Sequence, residues 1–135
     1  MAEISPLVWQ WIQKAEEDWE AAGLLSALPS QAASTCFHSQ QCVEKLLKAS
    51  LLAAGAEIPR IHELVVLSEQ LSAADATWEW DPDGLDSLST AAVASRYPGY
   101  AIGASDVAAA LADAAAVRRA LLLRLGIPQT SLGSS

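Results

Sequence analysis

Apolar residues recur at spacings of three and four along five stretches of the chain, and stretches rich in Pro, Gly and Asp separate them. This spacing places apolar side chains on one face of an α-helix. In the first stretch the pattern is Val8, Ile12, Ala15, Trp19 and Ala22. No separating segment is long enough to link two domains. The pattern therefore predicts one domain built from helices.

Capping residues and helix breakers set the predicted bounds. The first helix runs from Pro6 to about Ala27, the second from Gln31 to Ala54, the third from Arg60 or the next residue to about Ser72, the fourth from its cap Asp81 to near Ser95, and the fifth from its cap Ser105 to Leu125. Four long antiparallel helices and one short accessory helix predict an all-α, up-and-down four-helix bundle. We expect a single domain over residues 1–127 and a flexible C-terminal tail over 128–135.

Composition supports a helical domain and narrows its partners. The chain has 135 residues, of which 52% are hydrophobic, with one Phe and two Tyr, a composition that favours helices over strands. Sixteen Asp and Glu against eight Lys and Arg give a net charge of −8. This charge argues against general capture of phosphate backbones, so any contact with nucleic acid needs a local basic patch.

The termini and the cysteines indicate a cytoplasmic protein without membrane contact. No apolar run reaches the roughly 18 residues of a membrane span, and the acidic Glu3 stands where a secretory signal carries basic residues. Cys36 and Cys42 are six residues apart in one predicted helix, so their side chains point in different directions. We interpret both as reduced packing residues.

Several kinds of reactive site have no support in the sequence. The motifs G-x-G-x-x-G, G-x-x-x-x-G-K-[ST], C-x-x-C, E-x-x-H and G-x-S-x-G do not occur. His38 and His62 are the only histidines, so a three-histidine zinc site cannot form. We expect neither a metal nor a cofactor.

A polar stripe follows the second predicted helix. At 100° per residue, His38, Gln41, Lys45 and Lys48 fall within about 80° of one another. Two interpretations are open. The stripe binds a phosphate or nucleotide through its ammonium groups and hydrogen-bond donors, or it is a solvated face on which Glu44 and Lys48 form an i,i+4 pair.

The segment Arg96-Tyr97-Pro98 is a second candidate. Pro98 forces Tyr97 out of helical geometry, which fixes a turn and presents Arg96 at a helix end. A guanidinium on a rigid turn suits a phosphate. Pairing of Arg96 with a carboxylate from another helix is the other interpretation.

Two further polar residues have open roles. His62 begins the third predicted helix and either binds ligand or donates to a backbone carbonyl or a neighbouring helix. Asp18 is either a site carboxylate or the partner of Lys14, four residues earlier, in a surface ion pair.

The run Phe37-His38-Ser39-Gln40-Gln41-Cys42-Val43-Glu44-Lys45-Leu46-Leu47-Lys48-Ala49, followed by Ile61-His62-Glu63-Leu64 and Arg96-Tyr97-Pro98, resembles the HEPN family, the "higher eukaryotes and prokaryotes nucleotide-binding" domains. The similarity is to the short stand-alone prokaryotic type. Residues 14–22 of the first helix are also similar, so the resemblance covers about residues 8–125.

The resemblance implies a helical bundle that forms homodimers and works beside a minimal nucleotidyltransferase, as in a toxin-antitoxin pair. Some members are metal-independent ribonucleases with an R-x4-6-H motif. Arg96 matches the arginine, but Ala101, Ile102 and Gly103 occupy the positions for the histidine. We therefore expect no ribonuclease activity from this motif. Nucleotidyltransferase partners in the family modify a tyrosine near it, which makes Tyr97 and Tyr100 candidates for modification.

Two functional hypotheses follow. The chain is a nucleotide- or RNA-binding module, or it is a catalytically silent interaction module whose polar residues satisfy one another.

We expect a homodimer, because Trp9, Trp11 and the alanine-rich last helix offer apolar surface, although a loop packed over one tryptophan is the other account. The candidate ligand-binding residues are Arg96, Lys45, Lys48, His38, Gln41 and His62.

Overall fold

Residues 4–128, which the computed structural model describes, form five α-helices joined by short connections. The all-α prediction is confirmed. The predicted flexible tail falls, apart from Pro128, outside the described residues. The helices are α1 (Pro6–Leu25), α2 (Ala32–Ala53), α3 (Leu64–Ala74), α4 (Pro82–Ala94) and α5 (Ala104–Arg124), with a 3-10 turn at Pro29–Gln31 before α2.

Helix α2 is the axis of the bundle and packs against the other four helices. Thirteen of its 22 residues are buried. The buried residues include Leu46, Leu47 and Leu51, which join the main core. A helix enclosed on most of its surface also buries polar side chains, and these need partners inside the protein. The polar residues of α2 are therefore placed by their internal contacts.

The two cysteines lie in the core that α2 organises. Both are free thiols and are buried, as predicted. Burial raises the pKa of Cys36 and, more strongly, that of Cys42. Neither thiol is poised to react as a thiolate at neutral pH.

The third helix begins later than predicted, at Leu64 instead of Arg60 or its neighbour. The Gln40 side chain of α2 donates a hydrogen bond to the backbone carbonyl of His62, at 3.2 Å. Glu63, which precedes the helix, has extended backbone angles. The contact with α2 therefore holds the approach to α3 out of helical geometry.

Caps account for the starts of α4 and α5. The Asp81 carboxylate accepts a hydrogen bond from the Asp83 amide at 2.9 Å, which confirms Asp81 as the cap of α4. The predicted cap Ser105 is wrong, because α5 already begins at Ala104. Asp106 accepts a hydrogen bond from the Gly103 amide at 2.9 Å and so stabilises the earlier start.

Trp11 is covered from within its own chain. It packs against the core, and the Lys48 ammonium lies 6.0 Å from the centre of its ring. Trp9 remains exposed. Between residues 4 and 128, no helix combines the length and apolar character needed to cross a membrane.

Candidate functional site

The polar stripe of α2 divides into two clusters around two buried carboxylates. The Asp18 cluster consists of Asp18, His38 and Lys45. The Glu44 cluster consists of Glu44, Gln40, Gln41, Lys48 and His62. Five of the six predicted ligand-binding residues therefore lie in the two clusters. His38 and Lys45 belong to the Asp18 cluster, and Gln41, Lys48 and His62 belong to the Glu44 cluster. Arg96 belongs to neither.

Asp18, on α1, is only 8% exposed and bridges two side chains of α2. Its Oδ1 lies 2.7 Å from His38 Nδ1, and its Oδ2 accepts a hydrogen bond from Lys45 Nζ at 2.5 Å. Because a carboxylate has no proton to donate, the His38 nitrogen facing it must carry one. The predicted alternative, a pair between Lys14 and Asp18, is wrong, since Lys14 instead lies 3.6 Å from Glu17.

The other ring nitrogen of His38, Nε2, makes no hydrogen bond to any residue of the described chain. The His38 side chain is 30% exposed. An imidazole held through Nδ1 with its Nε2 unused is able to contact a ligand with a fixed atom.

Phe37 connects His38 with Arg96. The Phe37 ring meets the His38 ring edge-on, with centroids 5.3 Å apart. The Arg96 guanidinium carbon lies 4.9 Å from the centre of the same ring, which is a cation–π contact. We call Phe37, His38 and Arg96, together with the Asp18 cluster, the candidate site.

Arg96 has no ion-pair partner within residues 4–128, so the predicted pairing with a carboxylate from another helix is wrong. It lies two residues beyond the end of α4, in a turn that Gly99 completes with φ +86°. Val93, Arg96 and Tyr97 line a groove of about 310 Å³ beside it. Tyr97 and Tyr100 are 64% and 47% exposed. The turn thus presents a cation and two phenols to solvent.

Glu44, by contrast, is 4% exposed, and both of its oxygens are occupied. Oε1 accepts hydrogen bonds from Gln40 and Gln41 at 3.2 and 3.3 Å. Oε2 lies 3.2 Å from Lys48 Nζ and 2.9 Å from His62 Nδ1. The predicted pair between Glu44 and Lys48 is confirmed, but it is buried and does not lie on a solvated face.

The two glutamines complete the Glu44 cluster. Gln41 Nε2 also donates to Gln40 Oε1 at 2.8 Å, and Gln40 Nε2 donates to the His62 carbonyl. The cluster therefore ties α2 to the segment before α3 through side-chain and backbone groups. Both Glu44 oxygens are satisfied within the cluster, as the hypothesis of a silent module expects.

The contacts of the other arginines differ from those of Arg96. Arg118, buried on α5, binds Glu16 through two nitrogens and packs over the Trp19 ring at 5.1 Å. Arg124 donates to Asp75 at 2.6 Å. Among the arginines of the described chain, Arg60, Arg96 and Arg119 have no carboxylate partner, and of these three only Arg96 contacts an aromatic ring.

Two residues of the candidate site lay outside the predicted ligand set. Asp18 lies on α1, and nothing in its spacing shows that α1 faces His38 and Lys45. Phe37 departs from the apolar arc of α2. An aromatic residue beside a histidine and off the buried face is the one signal that points to it. No group of three or more His, Cys, Asp or Glu residues within positions 4–128 is arranged to hold a metal ion.

Comparison with known proteins gives a match to one family. The family model described as HEPN domain matches residues 8–125. Neither the curated proteins nor the solved structures contain a match to this chain.

Proposed function

The chain belongs to the HEPN domain family, and on this premise we propose that it is a phosphate-binding module for a nucleotide or RNA, working with a minimal nucleotidyltransferase in a toxin-antitoxin-like pair. One observation carries the proposal. Arg96 has no carboxylate partner, and it shares the Phe37 ring with His38, whose Nε2 makes no hydrogen bond within the described chain. A guanidinium donates to phosphate oxygens, and an imidazole adds a second donor at Nε2 when it is protonated.

Net charge favours a short ligand. At −8, the chain repels a long polyanion, while Arg96 in the candidate site has no balancing carboxylate among residues 4–128. A mononucleotide or a few nucleotides of RNA fit this local charge better than an extended backbone.

We expect no ribonuclease activity from the family motif, because Ala101, Ile102 and Gly103 supply no imidazole for proton transfer. Incubation of the purified protein with a labelled RNA tests this expectation. Metal-independent cleavage that persisted through purification and disappeared in His38→Ala or His62→Ala would show that a histidine of another segment replaces the missing one.

Calorimetric titration with ATP and with a short single-stranded RNA tests the binding proposal. We expect saturable binding that Arg96→Ala and His38→Ala weaken. Arg119→Ala is the matched control, since Arg119 is an exposed arginine without an ion pair and without a ring contact. Binding of neither ligand by the unmodified protein, or equal loss in Arg119→Ala, contradicts the proposal.

The second candidate is a catalytically silent interaction module, which the closed Glu44 cluster favours. In this account Gln41, Lys48 and His62 serve the fold and contact no ligand.

Both accounts share a homodimer as the functional unit. Light scattering at micromolar concentration should give about twice the 14.2 kDa of one chain. A mass near that of one chain at every concentration contradicts the dimer.

Tyr97 and Tyr100 are the proposed positions for modification by the nucleotidyltransferase partner, and the structure leaves both exposed. Mass spectrometry after incubation with the partner and ATP should find one added nucleotidyl group on this turn. The Tyr97→Phe, Tyr100→Phe double variant should stay unmodified. Modification elsewhere contradicts the assignment.

A further inference from the structure

We propose that Asp18 is a positioning residue that fixes the tautomer of His38, so that the ring presents Nε2 to the ligand as an acceptor when neutral and as a donor only when protonated. This inference rests on the proposed function for its meaning in binding. The position of the ring proton itself follows from contacts within the unliganded chain.

The contacts of Asp18 leave one arrangement of protons. Lys45 Nζ can only donate, and it takes Oδ2 at 2.5 Å. Oδ1 then faces His38 Nδ1 at 2.7 Å, and an oxygen without a proton needs a donor there. Neutral His38 therefore carries its proton on Nδ1 and leaves Nε2 bare.

Protonation of His38 changes the charge of the candidate site. Lys45 (+1) and Asp18 (−1) cancel, so Arg96 leaves the site at +1 while His38 is neutral and at +2 once Nε2 gains a proton. The charged groups that face His38 are Asp18 from α1, Lys45 through that carboxylate, and Arg96 across the Phe37 ring. Affinity for a phosphodiester should therefore rise as the pH falls.

Asp18→Asn reverses this arrangement. An amide has only one oxygen, and Lys45 needs it, so the Asn NH₂ turns toward His38 and donates to Nδ1. Neutral His38 must then carry its proton on Nε2. The variant binds a phosphate oxygen with a neutral imidazole, so protonation adds charge to the ring but no new donor at Nε2, and affinity depends less on protonation.

Nitrogen-15 NMR of the imidazole rings tests the tautomer without any ligand. At a pH where both imidazoles are neutral, we expect His38 with its proton on Nδ1 in the unmodified protein and on Nε2 in Asp18→Asn. His62→Ala identifies the His38 signals, since the chain has two histidines. A proton on Nε2 in the unmodified protein overturns the inference, whether or not the variant folds. So does a folded Asp18→Asn variant whose tautomer is unchanged.

Titration with a dinucleoside monophosphate, whose phosphodiester does not titrate near neutrality, supplies the second readout. From a pH at which the nitrogen-15 spectra show neutral His38 to one at which they show it protonated, affinity of the unmodified protein should rise by about tenfold, because Nε2 gains a proton and the ring gains a charge. Affinity of Asp18→Asn should change by clearly less, and a pH profile unchanged from the unmodified protein overturns the inference. If the tautomers are as expected but no probe binds, the role of Asp18 stands and the proposed function fails.

Discussion

The Asp18 and Glu44 clusters have the same central contacts but differ in the groups that surround them. Each centres on a buried carboxylate that binds a lysine and a histidine through Nδ1. Around Glu44, two glutamines occupy the remaining acceptor positions and add a bond to the backbone before α3. Around Asp18 the part of the chain that the structure describes supplies no such partners. The His38 ring contacts Phe37, which contacts Arg96, an arginine without an ion pair in the same residues. One cluster is closed and holds the fold, while the other leaves groups available to a ligand.

This difference shows that a polar stripe on a helix is not a functional unit. His38 and Gln41 lie on the same arc of α2, about one turn apart. His38 contacts Asp18, whereas Gln41 contacts Glu44. The partners come from α1 on one side and from the segment before α3 on the other. Hydrogen-bond accounting at each carboxylate therefore separates structural from functional candidates.

The largest expected effect is the loss of stability when the closed Glu44 cluster is disrupted. Glu44→Ala leaves the Lys48 ammonium buried without its partner and removes the acceptor of two glutamines, so we expect the free energy of unfolding to fall by ~3–5 kcal/mol. Urea denaturation measures this loss. Glu17→Ala is the control, because Glu17 is 68% exposed and its pair with Lys14 is long, and should change stability by less than ~0.5 kcal/mol. Equal effects in both variants would remove the distinction between the clusters.

The next largest effect is expected in the candidate site, at Arg96. Arg96→Ala should weaken binding of ATP by ~1–3 kcal/mol through loss of a charge-assisted hydrogen bond. Stability should change by less than ~1 kcal/mol, since within the described residues the exposed Arg96 guanidinium contacts the Phe37 ring and forms no ion pair. Calorimetric titration and thermal scans of the same samples measure both quantities. A lower melting temperature with unchanged affinity would make Arg96 a structural residue.

A smaller effect separates the two histidines. The His62 ring is 78% exposed, although its Nδ1 reaches buried Glu44. His62→Ala should lower stability by ~0.5–1.5 kcal/mol, the net value of one hydrogen bond, and should leave ATP affinity unchanged. Loss of affinity in this variant would place His62 in the binding site and join the two clusters.

The smallest effect on stability is expected at the partly buried pair of Asp75 and Arg124. Hydrogen bonds from the Thr77 side chain and backbone, followed by the Arg124 contact, lower the pKa of Asp75 to about 2 from 3.8. A carboxyl whose pKa is lower in the folded state stabilises the fold above pH 3.8 and loses that contribution as the pH falls toward 2. Asp75→Asn should therefore be less stable near neutrality, by less than His62→Ala, and equal to the unmodified protein at the acidic end. Urea denaturation at the two pH values measures this, and a constant difference contradicts it.

Much of the fold follows from local sequence signals. Helical periodicity, Pro6 and Asp81 with Pro82 predict the elements and two of their starts, because these signals act within one turn. The starts of α3 and α5 were wrong for different reasons. Contact with Gln40 delays the start of α3, while the hydrogen bond from the Gly103 amide to Asp106 lets α5 begin two residues earlier than a Ser105 cap would.

The candidate site was only partly predictable, since its geometry depends on which helices pack together. Sequence spacing placed His38 and Lys45 on one face and singled out Arg96 at its turn. It could not show that Asp18 of α1 binds the first two, or that Phe37 contacts Arg96 from the turn after α4. Those contacts arise from tertiary packing, which no spacing within one helix records.

Each cluster contains one of the two histidines, so a single experiment compares the clusters directly. Nitrogen-15 NMR of the imidazole rings during titration with ATP follows His38 and His62 in the same sample. The account predicts that the His38 Nε2 signal shifts with saturation while the His62 signals stay in place. Movement of His62 with His38 unchanged, or no movement of either ring, would contradict the assignment of binding to the Asp18 cluster and of structure to the Glu44 cluster.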